Sequence, residues 1–265
     1  MKRLSLLLFA LISIYTFSGI GCGGGSPTQN PPGGGGKYIT YFQLAGDKDA
    51  YVSSIQDYPH NPFWDNVGTG SVNGHQRSYI HFYMPSIPAD AKVLEAYINI
   101  YEDSLQYPGT AGIDIGTANA DWDPTTLTFS NQPNPPGGIS TGGTLPPFTQ
   151  INTWKGSSNV AGLVKPMLDP SQNFGFVIQS SNYYGETVRS FSSVNHMSRT
   201  SLDLGQAPRL YIKVETVTPI LLADTAKYPL GDTDELSPRL PGDVLVLNMR
   251  SGGTAWPSDW NVQMN

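Results

Sequence analysis

The chain has 265 residues, and its 15 Lys and Arg against 21 Asp and Glu give a formal charge of −6. Lys2 and Arg3 belong to an apolar leader; without them 13 basic residues face 21 acidic ones, a net −8 that argues against nucleic acid or an anionic membrane as partner. Its 29 glycines, 22 prolines and 14 tyrosines, with only 14% charged residues, fit a turn-rich β protein better than a helical one.

Residues 1–22 read as a leader. After Lys2 and Arg3, "LSLLLFALISIYTF" (4–17) is too short and wrongly flanked for a membrane span. It runs into "SGIGC", which resembles a bacterial lipoprotein signal with Cys22 as the lipidated residue, although Gly19 stands where leucine is usual. The other reading is an ordinary secretory signal with an incidental cysteine. Gly23 is not a retention aspartate, so an anchored protein is expected at the outer membrane or cell surface, touching the membrane through lipid alone. No cysteine follows position 22, so the mature domain has no internal disulfide. "GGGSPTQNPPGGGG" (23–36) lacks any apolar residue and reads as an extended, flexible tether.

From Lys37 the pattern has a period of two. "RSYIHFYM" (77–84) sets Ile80, Phe82 and Met84 inward and Tyr79, His81 and Tyr83 outward. "KVLEAYINIYE" (92–102) sets Leu94, Ala96, Ile98 and Ile100 inward against Glu95, Tyr97, Asn99 and Tyr101. "ADWDPTTLTFSNQP" (120–133) reads as a strand in which Leu127 and Phe129 share a face and Pro133 ends the pairing. "AGIDIGT", "FGFVIQS", "VRSFSS" and "PRLYIKV" are further short strands between Gly, Pro, Asn and Ser clusters. One helix is expected where Val160, Leu163, Val164, Met167 and Leu168 recur at helical spacing, capped by Ser158 or Asn159. The fold expected over 37–215 is all-β, an antiparallel jelly-roll sandwich with one short helix. Residues 216–265 are a proline-broken extension of unread purpose, with "DVLVLNM" as one more strand candidate.

Read in order, "DAYV" (49–52), "RSYIHFYMPSIPADAKVLEAYINIY" (77–101), "WDPTTLTFSNQP" (122–133), "NFGFVIQ" (173–179), "RSFSSVN" (189–195) and "APRLYIKV" (207–214) resemble the DNRLRE-domain family. Phe129 stands where that family usually has tryptophan, and "NTWKGSSNVAGLVKPML" lacks its aspartate–threonine pair. The resemblance implies a carbohydrate-binding-module-like sandwich, whose members with known roles bind polysaccharide, including acidic ones, or accompany polysaccharide-degrading enzymes. It also implies a packing role for Trp122 at the sandwich end.

For a binding site the sequence offers Arg77 and Arg189, each opening a strand, with Tyr79 or Tyr183 to stack beside them. A guanidinium fork suits sugar hydroxyls and uronic carboxylates. Tyr58, Phe63 and Trp64 in the loop "QDYPHNPFWDN" (56–66), and "SNYYGE" (181–186), add aromatic surface. Asp47 and Asp49 in "GDKDA" are either structural calcium ligands or turn aspartates capping backbone amides. His60, His75, His81 and His196 show no zinc spacing. Glu102, Asp103, Asp121 and Asp123 are the carboxylates a hydrolase or lyase would draw on. The reading is a surface-anchored, non-catalytic polysaccharide-binding protein, with an adhesive envelope protein or a polysaccharide-active enzyme as alternatives.

Overall fold

A long first strand, β1 (Tyr38–Ser53), decides how the sheet is built. The computed structural model describes residues 37–60, 64–69, 75–88, 90–107, 112–134, 139–147, 150–181, 187–194, 206–217, 220 and 244–250. After β1 come β2 (Gln56–His60), β3 (Trp64–Thr69), β4 (Gln76–Phe82), β5 (Lys92–Tyr107), β6 (Ile113–Thr117), β7 (Gly143–Leu145) and β8 (Thr153–Gly156). A short helix α1 (Ala161–Met167) leads to β9 (Phe176–Ser180), β10 (Thr187–Ser192), β11 (Arg209–Thr216) and β12 (Val244–Arg250). Every described pairing is antiparallel, as the alternating sequence pattern requires.

β1 and β5, at 16 residues each, are long enough to serve two partners in succession. The first half of β1 pairs β11, from Tyr38↔Thr216 to Ala45↔Arg209, and its second half pairs β4, from Gly46↔Phe82 to Ser53↔Gln76. β5 likewise passes from β11 to β10. Pairs β10–β3 and β3–β4 complete a ring, so the sheet curls around one core as a sandwich. β9, β6 and β7 extend it from β4.

The core holds Phe42, Leu44, Ile80, Phe82, Ile98, Ile100, Phe176, Leu210 and Ile212, with α1 closing it through Val164 and Met167. The N-cap is Val160, without a side-chain bond, rather than Ser158 or Asn159; Asn159 precedes it and its Oδ1 accepts from the backbone N–H groups of Ala161 (3.0 Å) and Ala96 (3.1 Å). One expected core residue, Leu94, is only half-buried while Val93 packs on the core, because the β5–β11 register shifts between Lys213 and Val214.

A second apolar cluster forms on the other side of the sheet. Phe42, Leu44, Ala50 and Val52 are all even positions of β1, yet only the first two face the main core. The register of β1 on β4 shifts between Gly46 and Lys48, and one extra residue turns every later side chain to the opposite face. Ala50 and Val52 therefore join Tyr79, Val177, Ala118, Trp122 and Leu127. Gly175 enters β9 with φ 84°, and a Cβ there would sit 2.5 Å from the Ile80 carbonyl oxygen.

Two expectations are corrected. Residues 121–134 are not a strand: they run through turns at 124–126 and 129–131. Asp123 accepts from the Thr125 N–H and hydroxyl, and Asn131 bonds Thr128 N and Thr126 O, so side chains take the backbone bonds a sheet neighbour would have made. Leu127 and Phe129 still reach one cluster, the second one. Conversely, Gln56–His60 and 64–66 are strand rather than loop. "DVLVLNM" does form a strand, β12, which pairs the outer edge of β1 from Tyr38↔Arg250 to Leu44↔Val244.

Candidate functional site

The outer face of β1, β4 and β9 carries Arg77 and Tyr79, and the segment from Ala118 to Asn134 lies across it as a roof. Register places Val52 opposite Arg77, Ala50 opposite Tyr79 and Lys48 opposite His81. Trp122 packs over Tyr79 with ring centroids 5.7 Å apart and planes tilted by 56°, and its Nε1 donates to the Phe174 carbonyl at 2.8 Å. Lys48 lies over the indole, 4.6 Å from its centroid, and donates to the Trp122 carbonyl (2.7 Å) and Asp121 (3.0 Å). The bond from Lys48 and the Trp122 N–H hold the Asp121 carboxyl below the usual range.

Gln132 joins the roof to both predicted site residues. Its Oε1 accepts from Arg77 Nη1 at 3.2 Å and from the Tyr79 hydroxyl at 3.1 Å, while Arg77 also reaches the Asn134 carbonyl at 3.4 Å. At the far end Asp57 accepts from the N–H and hydroxyl of Ser130, fastening the roof to the hairpin of β1 and β2. Those bonds from Ser130 hold the Asp57 carboxyl low. Tyr79 is fully buried and Arg77 only 4% exposed. Burial pushes the Tyr79 phenol up to about 12.

The expectation that Tyr79 stacks a ligand from solvent is therefore corrected. It points away from the main core, as its phase requires, but the indole that covers it has taken the stacking position. Arg77 spends its donors on the roof. Trp122 has the packing role expected of it.

The other sequence candidates are scattered. Trp64 opens β3 opposite Ser192, and Arg189 lies in β10 opposite Val67 and Leu105; their side chains fall outside the described residues. Tyr183, Phe63 and Cys22 also lie outside them. Tyr58 is 54% exposed on β2. Asp49 is buried and accepts from the Ser193 hydroxyl (2.8 Å) and Val194 N–H (2.7 Å); Asp47 Oδ1 lies 2.6 Å from His81 Nδ1. Among the described residues no group of three or more His, Cys, Asp or Glu could hold a metal ion. Of the candidate catalytic carboxylates, Glu102 is fully buried 3.8 Å from Lys155, Asp121 is paired with Lys48, and Asp123 caps its own turn. The side chain of Asp103 falls outside the described residues.

A second aromatic and basic set occupies the outer face of β11, β5 and β8, partly exposed at Trp154 although Asn99, Tyr211 and Lys213 on the same face are buried. Tyr101 pairs directly with Trp154, and Asn99 stands between Arg209 and Gly156 in the adjoining row. The Tyr101 and Trp154 rings meet edge to face at 5.5 Å, and the Arg209 guanidinium lies 4.9 Å over the indole. All three residues are partly exposed. Across the same face Lys213 Nζ bonds Glu95 at 2.8 Å, and Gln43 Nε2 donates to the Tyr211 hydroxyl at 3.3 Å. Burial raises the Tyr211 phenol, and the nearby Arg209 partly offsets the rise. Aromatic rings beside a planar fork of donors are the groups that receive a sugar's C–H face and its hydroxyls together.

Against protein-family profiles, residues 40–204 match carbohydrate-binding module family 96. The chain belongs to that family. The family-96 match runs from β1 past β10, so β11 and β12 lie beyond it although both pair with β1. No curated protein matches the chain. A family-96 module has carbohydrate as its ligand, and the partly exposed Trp154 is one aromatic surface this chain offers, the more exposed Tyr58 and Tyr83 being others.

Sequence reasoning set Tyr97 and Tyr101 outward but passed over Trp154 and Arg209. The available signal was "TWKG" (153–156), a tryptophan in a strand too short to need one for packing.

Proposed function

We propose that this family-96 protein is a non-catalytic polysaccharide-binding protein, held at the outer membrane or cell surface by lipid on Cys22. The single observation that carries the binding reading is the partly exposed Trp154 with Tyr101 edge-on at 5.5 Å and Arg209 at 4.9 Å. The ring takes the apolar face of a sugar residue, and the guanidinium takes hydroxyls or a uronic carboxylate. Its likeness to the DNRLRE family points the same way, including toward acidic chains. The leader and the tether at 23–36 support the anchored location.

Affinity electrophoresis through gels of neutral and acidic polysaccharides tests the site, with folding of Trp154→Ala and Arg209→Ala checked by circular dichroism. Retardation of the parent is expected to vanish with Trp154→Ala. With Arg209→Ala it is expected to fall most in acidic gels. Retardation equal to the parent for both folded variants would remove this face from the site. Cys22→Ser is expected to release the protein from the membrane fraction, and an unchanged, detergent-requiring pool would end the anchoring proposal.

A further inference from the structure

Helix α1 contains a glycine that neither packing nor conformation explains. Gly162 is exposed, and among the described residues Gly175 is the glycine with positive φ. A Cβ at Gly162 would meet nothing within 4 Å. Glycine is a poorer helix former than alanine, so a glycine in the first turn gives up some stability without a packing contact in return. What the missing side chain leaves open is a cleft of about 290 Å³ between α1, the end of β6 and Phe174.

We propose that this cleft is a second carbohydrate site that takes one neutral sugar ring. The proposal rests on the carbohydrate-binding reading but not on the Trp154 face. The volume sits at the lower end of small-molecule sites, which run from about 300 Å³ upward, so it suits a single ring rather than a chain segment. One wall is apolar, with Phe174 and Leu163; the polar groups are Thr117, Asn119 and Gln172. None of the lining residues is charged, so a carboxylate would lose its hydration here without a cation to replace it. Among the described residues no hydrogen bond engages the side-chain amides of Asn119 and Gln172. Each amide offers a donor and an acceptor in one plane, the pattern that neighbouring hydroxyls of a pyranose complement.

The walls are also fixed in advance. Trp122 Nε1 ties the roof to the Phe174 carbonyl at 2.8 Å, and Ala118 N–H donates to the Gly175 carbonyl at 3.0 Å. α1 is seated by the buried Val164 and Met167. A preformed cleft loses little ordering entropy when a small ligand enters.

The test is saturation-transfer NMR of the full chain with methyl glycosides of glucose, galactose and mannose, with glucuronate and galacturonate as charged probes. Three variants accompany the parent: Gly162→Trp to fill the cleft, Gln172→Ala to remove one amide, and Trp154→Ala as the control for the other face. Saturable binding of at least one neutral glycoside is expected, with the uronates weaker by about tenfold or more. Gly162→Trp, with melting temperature at or above the parent's, is expected to abolish it. Gln172→Ala is expected to weaken it, and Trp154→Ala to leave it intact. No saturable neutral binding, equal uronate binding, or binding that survives folded Gly162→Trp would overturn the cleft. If binding at the cleft is absent while Trp154-dependent retardation persists, only the cleft fails. If glycosides bind there while Trp154→Ala leaves retardation unchanged, only the Trp154 face fails.

Discussion

Replacing Trp122 by alanine tests whether the segment from Ala118 to Asn134 is a roof rather than an attached loop. The indole is 6% exposed, packs against Tyr79, carries Lys48 and donates to Phe174, so its removal deletes apolar burial and strands a carbonyl acceptor. Truncating a buried aromatic to alanine costs about 3–5 kcal/mol, and each kcal/mol lowers the melting temperature of a domain this size by about 2–4 °C. A drop of roughly 10 °C follows from these figures. Tyr79 reports the same event independently. Its folded pKa of about 12 lies above the ordinary 10, so in the parent its contribution is complete below pH 10 and is lost as pH climbs through 10 toward 12. Opening the roof hydrates the phenol and brings its titration back toward 10, so the alkaline loss of stability flattens. Thermal melts by circular dichroism read the first effect, and ultraviolet titration of tyrosinate, compared with Tyr79→Phe, reads the second. A melting temperature within 2 °C of the parent and an unmoved late-titrating tyrosine would refute the roof.

Three further perturbations separate the parts of the fold. Gly175→Ala places a Cβ 2.5 Å from the Ile80 oxygen at φ 84°, and is expected to cost at least about 2 kcal/mol in chemical denaturation, where Gly162→Ala is expected to stabilise. Asp49→Ala leaves the Ser193 hydroxyl and Val194 N–H without their buried acceptor, an expected loss of about 2–4 kcal/mol by urea titration. Asp57 has its carboxyl held below 3.8 by Ser130, so the tie it makes is complete above that pH and is lost as pH falls through the lowered folded value. Hydrogen exchange at Ser130 N–H is expected to quicken on acidification in the parent, and to be fast at every pH in Asp57→Ala.

The main core was legible because period-two alternation survives wherever one face meets the interior. Ile80, Phe82, Ile98, Ile100, Leu127, Phe176 and Leu210 were expected buried and all are, though Leu127 lies in the second cluster rather than in the main core. Register shifts were not legible. Nothing in "LAGDKDAYV" marks that the chain adds a residue near Gly46 and turns Ala50 and Val52 to a second cluster. The roof was misread as a strand for a related reason: Leu127 and Phe129 alternate correctly, but Asp123 and Asn131 close the backbone bonds locally, and alternation cannot report who the hydrogen-bond partner is.

The two aromatic faces show why the site was harder to read than the fold. Each combines a tryptophan, a tyrosine and a cation: Trp122 with Tyr79 and Lys48, Trp154 with Tyr101 and Arg209. Residue types alone make them equal candidates, and family motifs drew attention to the first. What separates them is the chain that follows. Trp122 leads into a dozen residues rich in Asp, Thr, Asn and Gln, able to satisfy one another while lying flat over Tyr79 and Arg77. Trp154 sits in the four-residue strand β8, with Gly156 rather than a polar run two residues on, and its indole stays partly exposed. A stacked cation therefore serves two ends in one molecule. Where polar side chains can close over it, the stack becomes internal cement. Where the indole keeps part of its surface in solvent, as at Trp154, the same chemistry is what the proposed sugar site draws on.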